Sequence, residues 1–451
     1  MSIETSTPSL EERASQVVQA LQEARLQDLS DLLDGVHAGD LAKIIQYLSP
    51  HLRADLIHTI LPHMNPEVLT YLDDTVREEV TRLLNPQELA AAVSDLESDD
   101  AFLVIEDLDE DQQEQVLSSI TPEARLSLEK SLSYPEDSAG RLMQKEIVAL
   151  LKDCTVVQAI RYVARNKDLP DVFYDLCVVD GNNHPLGLVP LSRLLNSPQK
   201  ATLGDLMTVG QKPIPSTMDQ EGVALLFKRY GLLSAPVVDE NGQLLGMITL
   251  DDVMDVIDEE AEEDIMHMGG IAASDFYSPI FSTSIARLQW LVVTLLNTLL
   301  ASAVISHFQV ALEKKVALAI LMPIVAAMGG SAGMQVITVT VRALANQELS
   351  HVNMRRTITK EVMVSFVNGI ICALVLGVVA FSWYRDGPLS IVLGSAMLFN
   401  MLWAGFAGTL LPLLVSRLGM DPALSAGPLL NTTTDVFGFA IFLSLAMGFL
   451  L

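Results

Sequence analysis

The chain has 451 residues, is 50% hydrophobic, and sets 28 Lys/Arg against 56 Asp/Glu for a formal charge of -28. No single soluble domain combines that hydropathy with that acidity, so the chain divides between two solvents. The negative balance leaves no role for a nucleic-acid partner, and three cysteines (Cys154, Cys177, Cys372) without metal-ligand spacing are packing residues of a reducing compartment rather than a disulfide framework.

The opening "MSIETSTPSLEERASQ" has neither a basic flank nor an apolar core, so it is not read as a signal peptide, and the front of the chain is expected in the cytosol. Residues 1–135 repeat one local signature: Ser49, Asn65, Asn85 and Thr121 each precede a proline, Pro50, Pro66, Pro86 and Pro122. A capping residue followed by proline at the first helical position predicts a run of short helices stacked as a small superhelix, read as packing without chemistry of its own.

After "YPEDSAG" the pattern changes to two similar halves, 138–198 and 199–257, in which Met143 aligns with Met207, Asp180 with Asp239 and Gly187 with Gly246. "VVDGNNHPLGLV" and "VVDENGQLLGMI" each predict a β-hairpin. The pair resembles a tandem CBS module, a regulatory α/β unit. Through that resemblance Thr249 and Asp252 of "GMITLDD" are candidate nucleotide contacts, whereas the first half has Pro190 and Arg193 at the matching places, which implies at most one nucleotide site per chain, with ATP as a modulator.

The stretch "DDVMDVIDEEAEEDIMHMGG" follows directly, a helix within 251–275 with acids at Asp251, Asp252, Asp255, Asp258, Glu259, Glu260, Glu262, Glu263 and Asp264 and an apolar strip at Val253, Val256 and Ile257. A charge run is ordinarily a solvated face. Placed beside the membrane, however, dense like charge packs closely only when cations neutralise it, which makes the run a candidate cation sensor.

A bilayer core of about 30 Å takes roughly 20 apolar helical residues. Five spans fit, at about 286–308, 316–341, 361–384, 389–416 and 423–451, within a membrane domain at 286–451. From Arg287 onward nine Lys/Arg face six acids; six of the nine (Arg287, Arg342, Arg355, Arg356, Lys360, Arg417) fall on the cytosolic side and three (Lys314, Lys315, Arg385) outside, which places the C-terminus on the outer side of the plasma membrane. In "MPIVAAMGGSAGMQ", Pro323 and the cluster Gly329, Gly330, Ser331, Ala332 and Gly333 are equally read as close helix packing or as pore lining.

Asp435 stands inside the last span, where an ionised aspartate costs on the order of 2.5–3.5 kcal/mol on lenient scales. It must face a basic partner or an ion path, and no Lys, Arg or His lies inside the spans away from their ends. With Thr432, Thr433 and Thr434 beside it, the ligands offered are all oxygen, which favours a hard, hydrated cation such as Mg²⁺. A two-fold axis would double the carboxylates, which motivates a homodimer in the lipid bilayer. No nucleophile, base and metal constellation and no Walker-type motif is present, so the chain is not read as an enzyme.

End to end, and most specifically in "DPALSAGPLLNTTTDVFGF" and "PIVAAMGGSAGMQVITVTVRALA", the chain resembles the MgtE family of Mg²⁺ channels. The resemblance implies an all-α N-domain, a CBS pair, an acidic plug helix and five transmembrane helices, assembled as a homodimer that conducts Mg²⁺ and is closed by it. Pore ion binding is implied at Asp435, with Asn431, Thr432, Thr434 and Ser331 around it. Cytosolic Mg²⁺ sensing is implied at Gly140, Asp219, Glu221, Asp252, Asp255, Glu260, Glu263 and Asp264. Three departures stand out: Gly231 replaces a common aspartate, "QELAAAV" lacks the acids that the family's N-domain presents to the CBS pair, and Ser331 and Asn431 differ from the usual pore residues. Sensing is therefore expected to be weaker or redistributed, and a broader divalent channel (Co²⁺, Ni²⁺, Mn²⁺) or a non-transporting membrane sensor are the competing expectations.

Overall fold

The computed structural model describes residues 9–23, 25, 29, 32–166, 169–170, 172–210, 212–271, 277–278, 280–349 and 352–450. Readings made on residues 1–8, on 272–275 and on Leu451 lie outside the described residues. The chain forms two compact units, divided between Asp258 and Glu259.

In the first unit, helices Leu10–Gln22, Ala38–Tyr47, Pro50–Ile60, Asp74–Thr81, Pro86–Asp95, Ser98–Glu106, Glu110–Ser119 and Pro122–Leu132 follow one another closely, with a 3₁₀ turn at Pro66–Leu69. Each Ser/Asn/Thr-Pro pair starts an element as expected; Asn65, Asn85 and Thr121 accept backbone N–H groups of the first turn, whereas Ser49 makes no side-chain cap. The proline supplies the fixed φ of the first turn and has no N–H to leave unpaired there. Two buried arginines tie the helices: Arg53 donates to the carbonyls of Ile45 and Leu48 and pairs with Glu79, and Arg77 donates to Leu72 and pairs with Asp107 and Asp74. Both guanidinium groups are thus satisfied where burial would otherwise be costly.

The CBS pair is two copies of one three-stranded sheet. β1 (Ala149–Leu151) lies parallel to β2 (Asp175–Val179), which is antiparallel to β3 (Pro185–Pro190); β4 (Ile214–Pro215), β5 (Ser234–Val238) and β6 (Leu244–Thr249) repeat the order. Asp180 accepts from the N–H groups of Asn182 and His184, and Asp239 from those of Asn241 and Gln243, so the aligned aspartates close equivalent turns. The aligned glycines serve one purpose too. A Cβ on Gly187 would lie 2.5 Å from the Thr208 carbonyl oxygen and one on Gly246 2.5 Å from that of Gln144, because the segment opening each half bridges a strand of the other.

Helix Leu250–Met268 buries Val253 and Val256 in the second CBS core beside Phe227 and Ile248, while Ile257 of the expected apolar strip is exposed. Among the described residues of the second unit, five helices are long and apolar enough to cross a membrane: Ile280–His307, Ala317–Ala345, Met354–Tyr384, Gly387–Arg417 and Pro422–Leu450, here called the first to fifth spans. The third begins at Met354 rather than at 361, since the basic turn with Arg355, Arg356 and Lys360 is itself helical. The fourth span is the most buried, packed against the second, third and fifth, whereas the first rests chiefly on the fifth and leaves Leu288, Leu291, Leu295 and Leu299 exposed, a surface suited to lipid.

Candidate ion pathway and cation sensor

Pro428 breaks the fifth span's hydrogen-bond ladder one turn before the threonines, because it has no N–H to give. Its carbonyl accepts the Thr432 hydroxyl at 2.8 Å and Asn297 Nδ2 of the first span at 3.3 Å. The Thr433 hydroxyl donates to Leu430 at 3.0 Å, and that of Thr434 to Leu430 and Asn431 at 3.0 and 3.1 Å. All three hydroxyl protons are therefore spent on the helix backbone, leaving the oxygens as acceptors only. Thr434 is wholly buried, Thr432 and Asp435 half-buried and Asn431 exposed. Asn431 and Asp435 lie one turn apart on one face.

The second span meets the fifth at Leu430 and Asn431. A Cβ on Gly330 would lie 3.3 Å from Asn431 Oδ1, and one on Gly333 2.5 Å from Leu430 Cδ2, so the glycines are where the two helices touch. Ser331, beside Gly330, is exposed and begins a stripe continued by exposed Gln335 and Thr338 at helical spacing. Sequence reasoning named only the first of the three. Among the described residues no base forms an ion pair with Asp435.

The expected sensor residues fall into three places. Gly140 donates its N–H to Ser216 at 2.8 Å and is packed so closely under Tyr134 that a Cβ would meet the ring at 2.5 Å; nearby, Asp219 caps helix Gln220–Tyr230 by accepting from the Glu221 N–H at 3.0 Å. The second place is the docking of the N-domain on the CBS pair. Here Ser98 binds Glu146 through its hydroxyl at 2.7 Å, Arg141 pairs with Glu106, and Asp252 meets two acids that sequence reasoning missed, Asp99 and Asp100. The resemblance pointed to "QELAAAV", one helix too early; "SDD" at the start of Ser98–Glu106 supplies the carboxylates instead, and read locally it is only a favourable first turn.

Burial and the charge of Asp252 hold Asp99 well above the usual carboxylate range. Asp100 is pushed up to about 7 by burial and then by Asp252 and Glu97, and Asp252 to about 6 by burial with Asp251 and Asp255 adding to it. Burial, then Asp258 and Asp251, also raise Asp255. Asp252 further accepts from the Thr249 hydroxyl at 2.6 Å, so the two candidate nucleotide contacts are bonded to each other and share an acid with the cluster.

The third place lies in the second unit. His267, nearly buried, holds Asp421 at 2.6 Å through Nδ1 and Glu263 at 3.4 Å through Nε2, and Asp421 also caps the fifth span by accepting from Ala423 and Leu424. Asp264 is raised by burial and by Asp421. Neither His267 nor Asp421 was singled out in the sequence. Among the described residues, no three His, Cys, Asp or Glu side chains converge as a set able to hold a bare ion. The acids come as charged walls rather than as a chelating cage, an arrangement that suits an ion keeping its waters.

Five apolar spans carrying a carboxylate without a basic partner among the described residues, joined to a CBS pair and an acid-walled domain joint, have the make-up of a membrane protein with built-in regulatory domains. The comparisons with known proteins are more particular. Residues 322–445 match the family described as "MgtE: Divalent cation transporter", 36–137 the MgtE intracellular N domain, and 139–200 and 203–259 the CBS domain. A magnesium transporter MgtE of Thermus thermophilus is 33% identical over 97% of this chain and 98% of its own length, and one of Bacillus subtilis 27% identical over 96% of each. The cytosolic domain of the Mg²⁺ channel MgtE in complex with ATP superposes with a TM-score of 0.50 at 28% identity, covering 54% of this chain and 99% of that one. The chain belongs to the MgtE family of magnesium transporters.

Proposed function

We propose that this protein is a homodimeric, Mg²⁺-gated channel that admits Mg²⁺ passively across the plasma membrane, with its soluble domains in the cytosol and its C-terminus outside. The observation that carries the reading is Asp435: a half-buried carboxylate in a membrane helix, without a basic partner among the described residues, on the face that also presents Asn431, which lies against Gly330 of the second span. A hydrated divalent ion is the charge that would balance it, held through its waters by Asp435 and by the acceptor oxygens of Asn431, Thr432 and Ser331. Thr434 contributes by fixing the helix rather than by facing the ion, since its side chain is wholly buried.

Gating follows from the acid walls. Asp99, Asp100, Asp252 and Asp255 repel one another when ionised, so internal Mg²⁺ favours the packed arrangement and stabilises it by mass action. Asp219 and Glu221 with the Gly140 backbone, and Glu260, Glu263 and Asp264 with Asp421, form further cation-binding walls, and helix Leu250–Met268 passes the change to the pore. The ATP held by the related cytosolic domain supports a nucleotide at Thr249 and Asp252 as modulator. Ser331 and Asn431 favour, as a second reading, admission of Co²⁺, Ni²⁺ or Mn²⁺ as well.

Mg²⁺ influx into indicator-loaded proteoliposomes, compared between wild type and Asp435→Ala at equal reconstitution, tests the reading. Influx lost in the variant is expected. Equal influx would remove Asp435 from the ion path, and none in either, with internal Mg²⁺ negligible, would favour a non-transporting sensor.

A further inference from the structure

At Asn400, in the fourth span, three membrane helices meet on one side chain. Its carboxamide is wholly buried, and Nδ2 donates to the Val325 carbonyl of the second span at 2.9 Å. A Cβ on Gly329 of the second span would lie 2.2 Å from the same nitrogen, and one on Gly438 of the fifth 2.8 Å. The amide therefore fills the volume that side chains at both positions would need, and it is the spacer between the two helices that carry the candidate ion ligands. Gly329 is two residues from Ser331, and Gly438 is three from Asp435.

Burial alone does not account for an amide here. Its Oδ1 meets no donor from the protein among the described residues, whereas an aliphatic side chain would fill the gap without an unmatched acceptor. What the amide adds is direction: a planar, rigid group bonded to one helix and wedged against another fixes their separation and register at once. An ion bound through its waters is sensitive to that separation, because the hydrated ion must span it.

We infer that Asn400 is a positioning residue for the ion pathway, setting the spacing of Ser331, Asn431 and Asp435 by its bond to Val325 and its wedge between Gly329 and Gly438. The inference rests on the reading of Asp435 as part of that pathway. It predicts that mass can be exchanged across the contact. Asn400→Ala empties the wedge, Gly438→Ala drives a methyl into it, and the double variant puts the methyl into the space the amide has left.

The test is Mg²⁺ influx into proteoliposomes, read as the half-saturating Mg²⁺ concentration and the Mg²⁺-to-Ca²⁺ flux ratio, with maximal flux normalised to folded protein by size exclusion. Either single variant is expected to raise the half-saturating concentration about tenfold and to lower the flux ratio, with maximal flux within about twofold. The double variant should recover most of the loss. Single variants that leave both quantities unchanged, or that lower only maximal flux, overturn the inference, as does a double variant whose losses multiply. Should Asn400→Ala fail to reconstitute, Asn400→Ser decides by the same two quantities. Asp435→Ala, run alongside, separates the claims: if it is silent, the pathway reading stands whatever the Asn400 variants do; if it conducts like the wild type, both fall.

Discussion

Asp100→Asn removes one carboxylate from the joint between the N-domain and the CBS pair while keeping its shape. Burial, followed by Asp252 and Glu97, raises the Asp100 carboxyl from 3.8 to about 7. A carboxyl that is easier to protonate when folded contributes stability that is complete below its unfolded value, near 4, and is lost as pH rises through about 7. At 1.36 kcal/mol per pH unit, that rise amounts to about 4 kcal/mol as an upper figure, and the residue's partial exposure to solvent leaves about 2–4 kcal/mol. At pH 8 without divalent cation, the docked joint should therefore gain about that much from the substitution. All three tryptophans (Trp290, Trp383, Trp403) lie in the membrane unit, so intrinsic fluorescence would not report on this joint. Hydrogen exchange of the full chain in detergent would, read as protection factors over Ser98–Glu106 and the start of helix Leu250–Met268. Protection in EDTA at pH 8 should rise by about thirtyfold or more in Asp100→Asn, approaching that of the wild type with Mg²⁺, and the gain should shrink as pH falls through about 7 and vanish below about pH 4. Unchanged or lower protection at pH 8 would refute the claim that like charge opposes docking.

Asp255→Asn with Glu260→Gln should leave influx on at internal Mg²⁺ concentrations that close the wild type, and unchanged closure would end the role given to the acidic helix. His267→Ala removes the 2.6 Å contact to Asp421; hydrogen bonds to charged groups are worth about 1.5–3 kcal/mol, so the internal Mg²⁺ needed for half-closure should rise about tenfold or more in the same flux assay. Gly187→Ala and Gly246→Ala each place a methyl 2.5 Å from a backbone oxygen and should cost about 1–3 kcal/mol by chemical denaturation monitored by far-ultraviolet circular dichroism, whereas Gly181→Ala, with open space around it, should change stability by less than about 0.5 kcal/mol.

Local signals carried most of the fold. Caps followed by proline, turn aspartates between apolar runs and uninterrupted hydropathy each act within one element, so the sequence alone located four element starts of the N-domain, both CBS hairpins and the five spans. Asp435 was legible for a similar reason, since a charge in a long apolar run announces itself without knowledge of its neighbours. Other features depended on contacts between distant residues. "SDD" at 98–100 is an ordinary helix start until folding brings Asp252, some 150 positions later, against it, and only then does burial lift the carboxyls. His267 and Asp421 are single residues at two helix ends, 154 positions apart, and nothing in either neighbourhood foretells a 2.6 Å contact. Asn400 reads as one tolerated amide in a membrane helix, and its place between Gly329 and Gly438 is a property of three helices packed together. The sequence by itself determined which segments fold and which solvent each prefers, because those preferences are sums over neighbouring residues. Tertiary structure decided which charges are crowded and which helices are held at what spacing, because desolvation, repulsion and steric fit arise only once distant residues share one place.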